Sequence, residues 1–154
     1  MTAHADPPTD PLADRLAIVD TVIAYATAID TRDWDMFAAL FTPDAVWEYR
    51  AGGERHTGPD KIADRVRPTI DQLDATQHLL TNHVVAVDGD AATHTCYYMA
   101  QHLRGDRRFL AAGRYTDELR RVDGRWLISA RALISTWAEG DPGILRAEGS
   151  AAEE

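Results

Sequence analysis

An α+β fold is predicted for this 154-residue chain by three observations. Helical periodicity fills the first half. From Thr76 onward it gives way to long β-rich runs. Those runs are punctuated by Asp88-Gly89, Gly105-Asp106 and Asp123-Gly124, each a hairpin signal. Helices followed by an antiparallel meander imply that the helices cover one face of the sheet.

Asp10 followed by Pro11 is a helix start, a capping carboxylate and then proline at the first helical position. The first helix is predicted over 11–30. Its apolar row Leu12, Leu16, Val19, Ile23, Ala26 advances by alternating steps of four and three and ends at Asp30, which predicts a core-facing stripe. A second row, Ile18, Val22, Tyr25 and Ile29, widens it. Asp33 caps a short second helix through Trp34, Phe37, Leu40 and Phe41, ended by Thr42-Pro43-Asp44. A strand over 45–50, a turn at Ala51-Gly52-Gly53-Glu54 and a return strand over 55–57 follow. Gly58-Pro59-Asp60 opens a third helix that buries Ile62, Val66, Ile70 and Leu73, with Pro68 as a kink. The hairpin signals then delimit strands at 76–87, 91–104, 107–121 and 125–138. Strands of this length curve, and a curved sheet closed on one side by helices forms a cone with an apolar interior. Residues 1–9 read as a disordered tail, 10–139 as a single domain and 140–154 as a loose C-terminal tail.

The net charge of −9 excludes a nucleic-acid binder, whose phosphate contacts need a basic surface. The clusters Arg104-Arg107-Arg108 and Arg114-Arg120-Arg121-Arg125 alternate with acids or flank turns and read as solvated surface. No run approaches the roughly 20 apolar residues of a membrane span. The N-terminal segment lacks the apolar stretch of a signal peptide, so a cytoplasmic location is expected. The lone Cys96 permits no intrachain disulfide and reads as a small buried residue. A nucleophile elbow, a phosphate loop and a dinucleotide fingerprint are all missing.

Asp30 carries the strongest functional signal. A carboxylate that ends an apolar row, near a helix C-terminus, is disfavoured by burial and by the macrodipole unless something pairs with it. His78 is the candidate partner. A neutral imidazole can take a proton from carbon next to a carbonyl, and a carboxylate on its other nitrogen fixes the tautomer and stabilises the imidazolium. The plainer alternative is a helix-capping Asp30 and a core histidine. Tyr25 is a candidate hydrogen-bond donor to a substrate oxygen, though it lies roughly 140° from Asp30 around the helix. Arg131 interrupts the apolar strand of Trp126, Ile128, Leu133 and Ile134. It either steadies developing negative charge in the pocket or sits on the outer face.

The register of the two strands after Thr76 decides what surrounds His78. A two-residue Asp88-Gly89 turn pairs His78 with Met99 and turns Tyr97, Met99 and Gln101 toward the pocket. A slip of one residue presents Tyr98 and His102 instead. Trp47, Tyr49, Phe109, Tyr115 and Trp137 are pocket or core aromatics. No metal site is expected. His78 and His83 are five apart and face opposite sides of a regular strand, while His94 and His102 share a face about 26 Å apart along it.

The order of elements resembles the SnoaL-like branch of the NTF2-like superfamily. The resemblance is carried by Tyr25-Ala-Thr-Ala-Ile-Asp30, Asp33-Trp34, Leu40-Phe41-Thr-Pro-Asp44-Ala, Gly58-Pro59, His78-Leu-Leu-Thr-Asn82, Val87-Asp-Gly-Asp90, Gly113-Arg-Tyr115 and Gly124-Arg-Trp126 with Ile128 and Arg131. It implies three helices on a strongly curved, mainly antiparallel sheet. It also implies a cofactor-independent lyase of dehydratase type acting on a small hydrophobic, cyclic molecule of polyketide or steroid character. In dehydratase-like members an aspartate late in the first helix pairs with a histidine of the sheet, and Asp30 and His78 fall on those positions. Tyr25 and Arg131 fall near further catalytic places, and Trp47, Tyr49, Tyr97, Met99, Gln101 and Tyr115 near the substrate. A second pocket histidine would fall at His102. An isomerase using the same base, or a non-catalytic binding or assembly module, is the alternative. A homo-oligomer, dimer or trimer, is expected by the same analogy.

Overall fold

A computed structural model describes residues 10–146. Helix α1 spans Pro11–Thr31, and the Asp10 carboxylate accepts hydrogen bonds from the backbone N–H groups of Leu12 and Ala13 at 3.0 and 3.3 Å. It ends where Arg32 turns left-handed at φ 58°. Helix α2 spans Trp34–Ala39, capped by Asp33 on the Met36 N–H at 2.9 Å. Strands β1 (Phe41–Tyr49) and β2 (Glu54–Thr57) precede helix α3 (Pro59–Asp71), in the order the sequence predicts. Pro68 lies within α3 without ending it, and Leu73 is buried just past its end. Strands β3 (Ala75–Asp88), β4 (Ala91–Arg104), β5 (Arg107–Val122) and β6 (Arg125–Gly140) form the meander. The six-stranded sheet has the order β2-β1-β6-β5-β4-β3 and is mixed, because β1 runs parallel to β6. None of the described helices is long and apolar enough to cross a membrane.

Three expectations need correction. Phe41–Asp44 is strand, not the end of α2. Phe41 pairs with Ile128, and Pro43, which has no N–H to give, sits where the β1–β6 register breaks between Phe41 and Val46. The segment after Gly140 is not loose up to residue 145, because Pro142–Leu145 forms a 3-10 turn and Ile144 is fully buried. Residues 147–154 of that tail, and the whole of the 1–9 tail, lie outside the described residues.

The third correction concerns α1. Its core-facing row is Asp14, Ile18, Val22, Tyr25 and Ile29, whereas Leu12 and Leu16 are 64 % and 56 % exposed and Ile23 is also exposed. Both rows have helical spacing, and tertiary docking selects between them. Asp14 begins the buried row, and its carboxylate accepts from both terminal nitrogens of Arg121, at 2.7 and 2.9 Å, and from the Trp126 indole at 3.1 Å. That clamp fixes the rotation of α1 and turns the Leu12–Leu16–Ile23 row outward. Asp30 thus flanks the buried row instead of ending it, and its side chain reaches sideways to β3.

Replacing Ile18 by alanine is expected to cost about 2–5 kcal/mol, and replacing Leu16 by alanine about 0.5 kcal/mol or less, in urea unfolding followed by circular dichroism. Equal costs would contradict this orientation of α1.

Candidate active site

One face of the sheet is covered. On β4 the inward residues are Ala92, His94, Cys96, Tyr98, Ala100 and His102, all buried. The facing residues of β3 change parity along the strand. Thr76, His78 and Leu80 pair with His102, Ala100 and Tyr98, while Val85 pairs with His94. Between Thr81 and Val84 the register shifts, so that Asn82 and His83 together oppose Cys96. Asn82 has φ 56°, the left-handed conformation that a β-bulge residue adopts. The turn is also displaced, with Asp88 paired to Ala91. The two shifts together present Tyr98 and His102 beside His78, the second of the two registers considered. Tyr97, Met99 and Gln101 face the other side, where Tyr97 is 57 % exposed and Met99 is exposed as well. Their expected place against the ligand is therefore corrected.

The Asp30 carboxylate meets His78 twice. Asp30 Oδ2 accepts the backbone N–H of His78 at 2.8 Å, and Oδ1 lies 2.7 Å from the ring Nδ1. The Thr76 hydroxyl donates to Oδ1 at 2.8 Å. An ionised carboxylate only accepts, so the imidazole proton sits on Nδ1 and Nε2 presents its lone pair. Burial opposes the charge on Asp30, but the His78 ring, the His78 N–H and the Thr76 hydroxyl outweigh it and hold the carboxyl below its usual range. The His102 ring packs edge-on against His78 with 5.9 Å between centroids. Its Nδ1 lies 3.2 Å from the Phe109 carbonyl oxygen, to which it donates. Burial, and then the neighbouring His78, push its pKa down to about 4. The row across the sheet from His78 continues through Ala100 and Ala111, so only small side chains stand next to the imidazole there. Sequence reading had left His102 open, and the signal that would have placed it was the bulge.

A second polar set occupies another row of the same face. Trp47, Arg131, Asp117 and His94 are consecutive cross-strand partners on β1, β6, β5 and β4. Arg131 Nε and Nη2 donate to Asp117 at 2.7 and 2.9 Å, and its guanidinium lies 4.0 and 4.3 Å from the ring centroids of Tyr25 and Tyr115. Burial opposes both charges. The pair nonetheless holds Asp117 below, and Arg131 above, their ordinary values. The Trp47 indole donates to the Tyr25 hydroxyl at 3.2 Å, and Tyr115 stacks on Tyr98 at 4.7 Å. Tyr49 is half-buried and packs against this core. Tyr25, Trp47, Tyr115 and Arg131 thus gather around Asp117, and among the described residues no hydrogen bond joins them to Asp30 or His78. Arg131 is 1 % exposed with two of its nitrogens committed to Asp117, so its expected place against developing charge in the pocket is corrected to a buried ion pair.

Two grooves, of about 890 and 660 Å³, open chiefly on the uncovered face of the sheet. Neither is lined by Asp30, His78 or His102.

Folded His102 gains its proton near pH 4, against about 6.5 for an unfolded histidine. Between those values only the unfolded chain is protonated there, so stability falls as pH drops through that window, by on the order of 3 kcal/mol at its foot. The lowered pKa of His83 acts in the same direction. His102→Asn, which keeps a donor for Phe109, is expected to flatten this dependence in urea midpoints measured from pH 7 to 4. Arg131→Met is expected to cost about 3–5 kcal/mol by stranding the Asp117 charge, and adding Asp117→Leu to recover part of that loss. Thermal unfolding of the three proteins checks this.

The SnoaL-like domain family matches residues 10–132. The Mycobacterium tuberculosis protein Rv2910c is 33 % identical over 123 residues, covering 78 % of this chain and 84 % of its own length. A scytalone dehydratase-like protein from Novosphingobium aromaticivorans DSM 12444 is 25 % identical with a TM-score of 0.79, over 92 % of this chain and 97 % of that one. Hexachlorocyclohexane dehydrochlorinase LinA-type3 from Novosphingobium barchaimii LL02 is also 25 % identical, with a TM-score of 0.74 over 86 % and 92 %. With the family match spanning the helices and most of the meander, the chain belongs to the SnoaL-like domain family within the NTF2-like superfamily.

Proposed function

We propose that the protein is a lyase that removes a carbon-bound proton with His78 and expels a small leaving group, water or halide, from a small hydrophobic cyclic molecule. The observation that carries this reading is the 2.7 Å contact between Asp30 Oδ1 and His78 Nδ1, with the second carboxylate oxygen anchored on the His78 backbone. It makes His78 Nε2 the base and Asp30 the group that orients it and stabilises the imidazolium. As the proton arrives on Nε2, the ring becomes cationic against a carboxylate already in place, and no side chain has to reorganise. His102, kept neutral by burial and with its Nδ1–H engaged by Phe109, offers an Nε2 lone pair beside the base and suits a proton-accepting contact to a substrate hydroxyl. Tyr25 and Arg131 serve by holding the aromatic floor, not by touching the reacting atoms. The dehydratase and dehydrochlorinase names among the structural neighbours support elimination over other outcomes of the same proton abstraction.

An isomerase reading shares the base and differs only in whether a group leaves. The assembly expected of this chain has its best support on the uncovered face, where Leu79, Tyr97, Met99 and Trp137 are exposed around the 660 Å³ groove and suit burial against a second copy.

The test is a panel of cyclic β-hydroxy ketones and chlorinated cyclohexanes followed by mass spectrometry. Wild-type protein is expected to give products lighter by water or hydrogen chloride. His78→Ala and Asp30→Asn are expected to be slower by roughly 10²–10⁴-fold with folding retained. Products of unchanged mass would favour isomerisation, and a His78→Ala protein with near wild-type turnover would reject the mechanism.

A further inference from the structure

The β3 bulge brings together three side chains that the dyad does not use. His83 Nδ1 lies 2.9 Å from His94 Nε2, and one ligand atom from each of His83, His94 and Cys96 falls within 4.8 Å of the others. His83 is partly exposed, while His94 and Cys96 are buried. From these observations we infer that His83, His94 and Cys96 form a binding site for a zinc-class divalent ion.

The donor set decides the class of ion. Two imidazoles and a thiolate suit a borderline-soft metal, and the nearby carboxylate, Asp117, is already spent on Arg131 and His94, so hard oxygen-seeking ions find nothing here. Tetrahedral zinc holds neighbouring nitrogen and sulfur ligands about 3.3–3.6 Å apart. The His83–His94 pair, at 2.9 Å, is closer than that range, and a swing of the partly exposed His83 away from His94 opens room for the ion.

The surroundings of His94 strengthen the assignment. Its Nδ1 lies 2.8 Å from Asp117 Oδ2, so the proton is on Nδ1 and the Nε2 lone pair points at the site. A carboxylate behind a ligating histidine is the recurrent arrangement that fixes tautomer and raises basicity in metal centres. Here Arg131 anchors that carboxylate through two hydrogen bonds, leaving Asp117 no freedom to move. On metal entry His83 carries its proton on Nε2 instead of Nδ1, and Cys96 gives up one proton to solvent. Three protein ligands leave a fourth position for water on the partly exposed His83 side. The site lies about 15 Å along β3 from His78, so it is separate from the proposed base.

The full-length chain, stripped with a chelator, is titrated with Zn²⁺ by calorimetry, and with Co²⁺ to read thiolate and tetrahedral coordination from the absorption spectrum. One equivalent of Zn²⁺ is expected to bind and to raise the unfolding temperature, and Co²⁺ to give thiolate charge-transfer bands. Cys96→Ser and His83→Ala, one nearly isosteric and one at a partly exposed position, are each expected to weaken binding roughly 100-fold or more. His78→Ala is expected to bind as wild type does. Absence of Zn²⁺ binding by the wild-type protein, Co²⁺ spectra without thiolate bands, or binding that survives Cys96→Ser and His83→Ala would overturn the inference. Loss of binding in His78→Ala alone would move the ion to the dyad and overturn it equally.

Discussion

One extra residue in β3 governs the polar interior of this protein. Asn82, in the left-handed conformation, lets two residues of β3 oppose the single Cys96 of β4. On the Thr76–Leu80 side the even-numbered positions of β3 face the helices, and beyond the bulge the odd ones do. His78 and His83 consequently share a face despite an odd separation, which a regular strand forbids. Without that insertion His102 would not stand beside His78, nor His83 beside His94.

The two carboxylates that organise the covered face solve the same electrostatic problem in different ways. Asp117 is sealed in and balanced by a full opposite charge, the Arg131 guanidinium, which itself lies against two tyrosine rings. Asp30 is half-buried, and among the described residues it is satisfied without an arginine or lysine, by a backbone N–H, a hydroxyl and an imidazole. A carboxylate compensated by dipoles can still gain by forming an ion pair when the imidazole is protonated. A carboxylate already paired gains less. That difference separates a group poised for proton transfer from one that holds a framework together.

The hairpins were legible because their signals are local. Asp-Gly and Gly-Asp pairs mark the turns, and β-branched and aromatic runs fill the strands between them. Helix α1 was legible as a helix but not in its orientation, since two apolar rows satisfy the same periodicity and only the distant Arg121 and Trp126 choose between them. Asp30 was readable as a carboxylate in need of a partner, because it stands near the apolar side of a helix, but the choice of His78 rested on the family resemblance. The residues around His78 were not readable, because a bulge is a matter of backbone register to which sequence periodicity is blind. Arg131 was legible only as an interruption of an apolar strand, left between the pocket and the outer face, and its partner Asp117 went unnoticed. On β5 Asp117 alternates with charged and polar neighbours and looks like any surface acid until the strands are laid side by side.

The clamp of Asp14 by Arg121 and Trp126 ties the opening turn of α1 to the last hairpin, across sequence separations of 107 and 112 residues. A ribosome would therefore release α1 long before its docking partners exist. Until then both apolar stripes of the helix stand bare, and neither is distinguished as the inner one. Such non-local closure slows folding and lengthens the window for off-pathway association. The nascent chain is thus most vulnerable before its final hairpin emerges, and the last-made strands decide how the first-made helix comes to rest.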